Sequence, residues 1–116
     1  YVIVLDSALL DIVDVTEGLK KDGIVIVNTR KNPKEISLKE CRLATVDATG
    51  IALELQLLVA GLPVLNTPML GAFSKATEEV KLESVLQVIR QEWSGASGEK
   101  NAKAASLAYE RLVKGW

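Results

Sequence analysis

The chain is organised around residues 62–75, which read Leu-Pro-Val-Leu-Asn-Thr-Pro-Met-Leu-Gly-Ala-Phe-Ser-Lys. A short apolar run turns at Asn66–Thr67 and leads directly into a predicted helix. Thr67 is predicted to be the N-cap, because its hydroxyl can accept a backbone N–H, and Pro68 suits the first helical position. Gly71 lies inside this helix at a cost of about 1 kcal/mol relative to alanine. We therefore expect a close approach by another backbone or a partner, and a packing or docking helix without chemistry of its own.

Two continuous apolar runs upstream predict buried strands. Tyr1–Leu5 and Gly23–Asn28 are β-branched and apolar, as is typical of strands buried on both faces of a parallel sheet. Between them, Asp14 and Glu17 form a capping-box pattern, which predicts a short helix that ends near Asp22. Two strands joined by a helical crossover make a βαβ unit, which is right-handed by strong preference.

Three further elements follow in the middle of the chain. The polar segment Thr29–Glu40 contains a proline and several charges, and it is predicted to be a solvated surface connector. Cys41–Val46 is predicted to be a third strand, nearer an edge because it is less uniformly apolar. Asp47–Ala60 predicts a helix that is apolar around nearly its whole circumference. Such a helix is buried, which in a domain of this size implies a contribution from outside it.

Two helices are predicted in the C-terminal part. Apolar residues recur at spacings of three and four through Leu82–Trp93, which predicts an amphipathic helix. Ser94–Gly98 is predicted to be a flexible break. The last helix, predicted over Glu99–Val113, has a narrow alanine-rich face, so we expect close packing and a frayed end.

The order of these elements favours an α/β fold, a three-layer sandwich with a mostly parallel or mixed sheet. We expect a single domain over residues 1–116. Because the sequence opens directly on a strand, without an initiator methionine, we further expect it to be part of a larger domain.

Composition argues against several classes of function. The 116 residues include 14 basic and 15 acidic side chains without a basic block, which gives nucleic-acid binding little support. Apolar runs stop well short of the ~20 residues that span a bilayer, so no membrane partner is predicted. There is no histidine, and one cysteine cannot form an internal disulfide or hold a zinc or iron–sulfur site by itself. Neither phosphate-binding glycine motif occurs. We therefore assign no catalytic or metal-binding residue.

Polar pairs at the predicted strand ends are the main candidate ligand site. Ligands of open α/β sheets bind outside the carboxyl ends of the strands, so these pairs could line one crevice. They are Asp6–Ser7, Asn28–Thr29, Asp47 with Thr49, and Asn66–Thr67. The alternative is that they are ordinary turn and cap residues, and Asn66–Thr67 is the pair best placed to be more than that. Asp6 and Asp47 could also be paired carboxylates for acid–base chemistry, although cap roles explain both.

Three other side chains favour structural roles. Cys41 is predicted to be a small buried hydrophobe rather than a nucleophile. Trp93 and Tyr109 lack an accompanying aromatic cluster, so we predict core or rim positions rather than stacking platforms.

Three segments resemble one known family. Residues 11–23, 46–52 and 66–75 are similar to the gamma subunit of pyruvate or other 2-oxoacid ferredoxin oxidoreductases, and the segment from Asn66 to Lys75 is the most specific. The resemblance extends over essentially the whole chain. It implies a cytoplasmic complex that oxidatively decarboxylates a 2-oxoacid to an acyl-CoA and reduces ferredoxin.

The same resemblance implies a division of labour among subunits. Thiamine diphosphate and [4Fe-4S] clusters belong to other subunits (alpha, beta and delta), and the gamma part is structural and close to coenzyme A. No cofactor is expected to be bound by this chain. The residues expected to face partner subunits are Asn66, Thr67, Pro68, Met69, Gly71 and Phe73.

Two departures from the family pattern limit these assignments. The glycine-rich G-x-G-G-x-G segment expected near the start of a gamma subunit is missing, so no residue can be assigned to coenzyme A or nucleotide. Glu78–Glu79 and Lys81 also stand where a glycine and a capping serine are more usual. Two rival functions therefore remain: a stand-alone nucleotide-binding module and a non-enzymatic adaptor.

Overall fold

A mixed sheet with helices on one face forms the frame of the protein. The computed structural model describes residues 1–38 and 40–116. The strands are β1 (Val2–Val4), β2 (Ile24–Asn28), β3 (Arg42–Val46), β4 (Leu58–Val59), β5 (Leu62–Pro63) and β6 (Val113–Lys114). The α-helices are α1 (Ala48–Glu54), α2 (Asn66–Thr77), α3 (Leu82–Glu92) and α4 (Gly95–Arg111).

The sheet order is β1-β2-β3-β6, in which the first three strands are parallel and β6 is antiparallel to β3. Val4 pairs with Val27, and Val27 pairs with Thr45. The prediction of an α/β fold with a mostly parallel or mixed sheet is confirmed.

The burial of the strands corrects two predictions. Strand β2 is buried along its whole length, but β1 lies at the edge of the described sheet and leaves Ile3 41% exposed. The prediction that β1 is buried on both faces is therefore wrong. Strand β3 lies between β2 and β6, so the edge position predicted for it is also wrong. The short β6 comes from the far end of the chain, and local composition cannot reveal such a pairing.

The predicted helix between β1 and β2 does not form. The chain instead makes a 3-10 turn at Ser7–Asp11 and then a series of turns. The Asp14 carboxylate accepts hydrogen bonds from the Thr16 amide and hydroxyl, which closes a local turn instead of capping a helix. Gly18 has a φ of 78° and Asp22 a φ of 61°, and left-handed residues interrupt a right-handed helix.

The two faces of the sheet are covered differently. Helices α1, α2 and α4 cover one face, and their buried side chains surround Ile24, Ile26, Ala44 and Val46. The opposite face is covered by turns and loops. Its buried strand residues are Val4, Val25, Val27 and Leu43, and the side chains packed on them include Leu10, Val15, Leu19, Ile36 and Cys41. In the part of the chain that is described, this third layer therefore contains no α-helix.

Helix α1 is shorter than predicted. It ends at Glu54, and the residues up to Pro63 form a β-hairpin from β4 and β5 instead of two more helical turns. Gln56 has a φ of 54°, which ends the helical path. Leu53 and Leu58 are exposed, so the prediction of a helix buried on every side is wrong. Side-chain apolarity alone does not distinguish a buried helix from an exposed hairpin.

Helix α2 begins two residues earlier than predicted, at Asn66, with Leu65 as N-cap. Thr67 is therefore not the cap. Its hydroxyl instead donates to Asn101 Oδ1 of α4 at 2.8 Å, and Asn101 Nδ2 donates to the Ser97 carbonyl. Pro68 still lies in the first turn, where an N–H would have no intrahelical partner.

Helix α2 packs closely on α4 at Gly71. A Cβ at Gly71 would lie 1.9 Å from the Ala105 carbonyl oxygen of α4. The predicted close approach of another backbone is confirmed, and that backbone belongs to this chain.

Both helices predicted in the C-terminal part are present in the structure. Helix α3 occupies the predicted range and buries Ile89. Helix α4 begins at Gly95, so the predicted flexible break at Ser94–Gly98 is wrong. Gly98 lies in the first turns of α4, where a Cβ would lie 1.8 Å from the Trp93 carbonyl oxygen.

The ends of these helices depart from common capping patterns. Glu78 closes α2 in the left-handed region, at a φ of 57°, and Lys81 precedes α3 without a side-chain cap. The turn at these positions is therefore built without the usual glycine and serine. Helix α4 ends at Arg111, and the chain continues into β6 instead of fraying. Among the described residues, no helix is both long and apolar enough to cross a bilayer.

Candidate functional site

A crevice of about 810 Å³ opens at the carboxyl ends of β1, β2 and β3. Three of the four predicted polar pairs line it: Asp6–Ser7, Asn28–Thr29, and Asp47 with Thr49. The carboxyl ends of parallel strands meet at one edge of the sheet, which brings these pairs together. Asn66–Thr67, expected to be the most functional pair, is not among the lining residues.

Asn28 lies at the floor of the crevice and connects the chain segments that meet there. Its side chain is 8% exposed and donates to the Leu5 carbonyl at 3.0 Å and to Thr49 Oγ1 at 2.9 Å. Its carbonyl oxygen accepts from the amides of Ala48 at 2.9 Å and Thr49 at 3.3 Å. One side chain at the end of β2 thus ties the end of β1 to the start of α1.

The two carboxylates of the crevice are occupied by backbone amides. Asp6 accepts from the Ala8 amide at 3.0 Å, and Asp47 accepts from the Gly50 amide at 2.9 Å. Asp47 also lies 3.9 Å from Arg30 Nε. These contacts confirm the cap interpretation of both aspartates. They give no support to a paired acid–base role.

Two hydroxyl groups of the crevice are free to donate to a ligand. Thr49 Oγ1 accepts from Asn28 and Thr29 Oγ1 accepts from the Lys31 amide, so both hydroxyl protons can point to a ligand oxygen. The Arg30 side chain is 91% exposed and, with Lys31, adds positive charge to the same wall. Apolar side chains also line the crevice, namely Leu5, Leu53, Pro63 and Leu65. This combination suits a ligand with phosphate or carboxylate oxygens and an apolar arm.

A second hollow of about 370 Å³ lies beside the crevice and shares Arg30 and Asp47 with it. An ion pair forms one of its walls, with Arg111 donating to the two Glu54 oxygens at 2.8 and 3.4 Å. This hydrogen bonding lowers the pKa of Glu54 below its usual range. The pair also ties α1 to the end of α4.

Arg30 and Lys31 were missed as site residues, because they open the polar segment that was interpreted as a solvated connector. Their position directly after the end of β2 was the available signal.

The predicted interface residues have mixed positions. Thr67, Pro68, Met69 and Gly71 are buried within this chain, whereas Asn66 is exposed. Phe73 is half-buried, and its ring meets that of Tyr1 edge-on at 5.5 Å between centroids. None of these contacts identifies a partner, so the interface remains a prediction.

The remaining singled-out side chains occupy structural positions. Cys41 is half-buried against the loop-covered face, and burial raises the pKa of its thiol, which favours the neutral form. Trp93 is 39% exposed, and the Lys75 ammonium lies 4.8 Å from the centroid of the Tyr109 ring. Among residues 1–38 and 40–116, no group of three or more histidine, cysteine, aspartate or glutamate side chains could hold a metal ion.

Comparison with known proteins gives one consistent result. The family model described as pyruvate ferredoxin/flavodoxin oxidoreductase matches residues 1–111. The common subunit gamma of the pyruvate/ketoisovalerate oxidoreductases of Thermococcus kodakarensis is 57% identical, over 97% of this chain and 60% of that protein. The pyruvate synthase subunit PorC of Methanocaldococcus jannaschii is 49% identical, over 98% of this chain and 60% of that protein.

A solved structure agrees with these sequence matches. The crystal structure of pyruvate oxidoreductase subunit PORC from Thermotoga maritima superimposes with a TM-score of 0.83 at 31% identity. The match covers 98% of this chain and 64% of that one. The chain spans about three fifths of the length of the curated relatives it matches.

Proposed function

Because this chain belongs to the pyruvate ferredoxin/flavodoxin oxidoreductase family, we propose that it is the gamma part of a cytoplasmic 2-oxoacid:ferredoxin oxidoreductase. The complex would oxidatively decarboxylate a 2-oxoacid to an acyl-CoA and reduce ferredoxin. The observation that carries this proposal is the 57% identity to a gamma subunit over 97% of the chain.

The reactive groups belong to partner subunits in this proposal. One half-buried cysteine is not a donor set for a [4Fe-4S] cluster, which requires four ligands. Asp6 and Asp47, the two carboxylates that line the crevice, each accept a hydrogen bond from a backbone amide, as turn and cap residues do. The alpha, beta and delta subunits would carry thiamine diphosphate and the clusters, as the family resemblance implies.

The crevice is the part of this chain proposed to meet a substrate. Coenzyme A combines phosphates with a long apolar arm. The hydroxyls of Thr29 and Thr49 and the charges of Arg30 and Lys31 suit the phosphates, and the apolar wall suits the arm. The role of the chain is to bind and orient coenzyme A, so that the thiol of coenzyme A reaches the reacting groups held by the partner subunits.

A kinetic experiment on the assembled complex tests this role. Arg30→Ala/Lys31→Ala is expected to raise the KM for coenzyme A about three- to tenfold with kcat nearly unchanged, because exposed cations contribute mainly to binding. The readout is pyruvate-dependent reduction of ferredoxin. Lys20→Ala/Lys21→Ala is the matched control, since these lysines lie in a hollow with Gly23 and Arg42, at the opposite ends of β2 and β3. Equal KM values for the two double variants would contradict the coenzyme A assignment.

A stand-alone nucleotide-binding module is the second candidate, and it is favoured by the position of the crevice at the strand ends. Calorimetric titration of the chain with NAD, ATP and coenzyme A separates the candidates. Tight binding of NAD or ATP by the chain alone would favour the module. An adaptor function would instead appear as stable recovery from the native source without partners that carry thiamine and clusters.

A further inference from the structure

The second hollow, of about 370 Å³, borders the crevice along a common wall. The residues that line both spaces are Thr29, Arg30, Lys31, Asp47 and Gly50. Because these residues face both spaces, one ligand can extend from the crevice into the second hollow.

The two spaces differ in the character of their other walls. The crevice has an apolar wall, formed by Leu5, Leu53, Pro63 and Leu65. The second hollow is lined mainly by polar and charged side chains beyond the common wall, namely Asn32, Thr45, Glu54 and Arg111. A ligand with an apolar arm and several anionic groups would therefore place its arm in the crevice and an anionic end in the second hollow.

Arg111 is the cation that lines the second hollow but not the crevice. It is the last residue of α4, and it donates to the two Glu54 oxygens at 2.8 and 3.4 Å. A guanidinium has five N–H donors, so the bonds to Glu54 engage only two of them. The Arg111 side chain is 48% exposed, which leaves it accessible to a ligand. Glu54 is thus a positioning residue for an arginine that can still bind an anion.

The charges of the second hollow favour an anion. Among the described residues, three cations line it, Arg30, Lys31 and Arg111, against two carboxylates, Asp47 and Glu54. Both carboxylates are engaged, since Asp47 accepts from the Gly50 amide and Glu54 is bonded through both oxygens. The hollow therefore has one net positive charge, and its accessible donors belong to cations.

We propose that the second hollow binds the 3′-phosphate of coenzyme A and that Arg111 selects for this group. The inference rests on the proposed function, because it extends the ligand that the crevice would hold. The diphosphate lies at the common wall of Arg30 and Lys31, the apolar arm follows the crevice, and the ribose phosphate reaches Arg111. A phosphate monoester carries a charge of about −1.5 to −2 at pH 7, and its oxygens match the planar fork of a guanidinium.

A carboxylate from the rest of the same polypeptide is the main alternative occupant, because the chain spans about three fifths of the length of its relatives. Such a carboxylate would bind Arg111 whether or not coenzyme A is present. The common wall favours the phosphate, since it places the second hollow beside the crevice proposed for the same ligand. The two occupants also differ in what they make Arg111 do. Only a phosphate ligand makes Arg111 distinguish between forms of coenzyme A.

The test compares coenzyme A with 3′-dephospho-coenzyme A as substrates of the full complex, assembled from complete chains. The readout is pyruvate-dependent reduction of ferredoxin, and the ratio of the two KM values measures the contribution of the 3′-phosphate. In the wild type, loss of the phosphate is expected to raise KM about tenfold, because charge-assisted hydrogen bonds are lost. In Arg111→Gln the ratio is expected to fall to about twofold, with kcat nearly unchanged.

Two further variants control for charge and for loss of an ion pair. Arg90→Gln is the matched control, because Arg90 is 51% exposed and pairs with Glu99 at 3.0 Å, away from both spaces. It is expected to keep the wild-type ratio. Glu54→Gln/Arg111→Gln has the wild-type net charge in the hollow but lacks the guanidinium, so it is expected to lose the preference as Arg111→Gln does. Thermal unfolding checks that all variants fold.

The outcomes separate this inference from the proposed function. A wild-type ratio in Arg111→Gln or in the double variant would overturn the 3′-phosphate site alone, as would an equal loss in Arg90→Gln. A wild-type complex that uses both forms of coenzyme A equally well would also overturn it. Lower stability of Arg111→Gln with an unchanged ratio would assign Arg111 to a carboxylate of the polypeptide instead. The coenzyme A role itself fails if Arg30→Ala/Lys31→Ala and its lysine control have equal KM values, whatever Arg111→Gln does.

Discussion

At the scale of single residues, Asn28 has the greatest influence on the crevice. A valine or leucine at the end of β2 would continue the apolar run, but an asparagine there can both donate and accept. It uses both abilities, because it donates to Leu5 and Thr49 and accepts from the amides that begin α1. The positions of three separate chain segments therefore depend on one amide group.

Asn28→Ala is expected to lower the free energy of unfolding by about 2 to 3 kcal/mol, because it leaves buried backbone groups without partners. Urea denaturation followed by circular dichroism measures the change. Asn66→Ala is the control: Asn66 is exposed and its side chain accepts from the neighbouring amide of Thr67, so a loss below about 0.5 kcal/mol is expected. Equal losses in the two variants would show that Asn28 does not connect the crevice.

At the scale of elements, the α2–α4 contact organises the helical layer. Gly71 allows the two backbones to meet, and the buried pair Thr67–Asn101 joins the same helices about one turn away. Ala104, Ala105 and Ala108 present a small-residue surface on α4 that has no exposed area. The packing is therefore close, with little side-chain volume between the helices.

Gly71→Ala is expected to cost about 3 kcal/mol or more of stability, because the new methyl group would meet a main-chain carbonyl that cannot rotate away. Gly61→Ala is the matched comparison. It has open space around the new Cβ but a φ of 79°, so the left-handed strain of about 1 kcal/mol is expected alone. Thermal unfolding ranks the two variants. A larger loss at Gly61 would contradict the close helix contact.

At the scale of the whole molecule, stability is distributed unevenly around the sheet. Strand β2 is central and fully buried, and it has helices on one side and turns on the other. Segments covered by few buried contacts open locally, whereas a central strand opens only when the whole domain unfolds.

Hydrogen exchange should show this asymmetry directly. The amides of Val25, Ile26 and Val27 are expected to exchange at least about a hundredfold more slowly than those of residues 14–22, which lie in turns. Mass spectrometry after proteolysis resolves the two regions. Similar rates would mean that β2 is not the stable centre of the fold.

The order of the predicted strands was sufficient to predict most of the polar pairs that line the crevice. The three polar pairs of the crevice were predictable, because each directly follows a parallel strand. The connecting role of Asn28 was not, since it depends on which groups of distant segments lie within 3.3 Å of one amide. The exclusion of Asn66–Thr67 was also not predictable, because it depends on the register of α2 against α4.

Local pattern by itself determined strands β1, β2 and β3, helix α3 and the resemblance to the gamma subunits, because β-branched runs and helical spacing act over a few neighbouring residues. The tertiary structure alone decided that α1 stops at Glu54, that residues 58–63 form a hairpin, and that turns replace the helix before β2. Left-handed residues at Gly18, Gln56 and Ala60 make these changes possible. Their cost is offset by non-local packing, which no stretch of sequence displays.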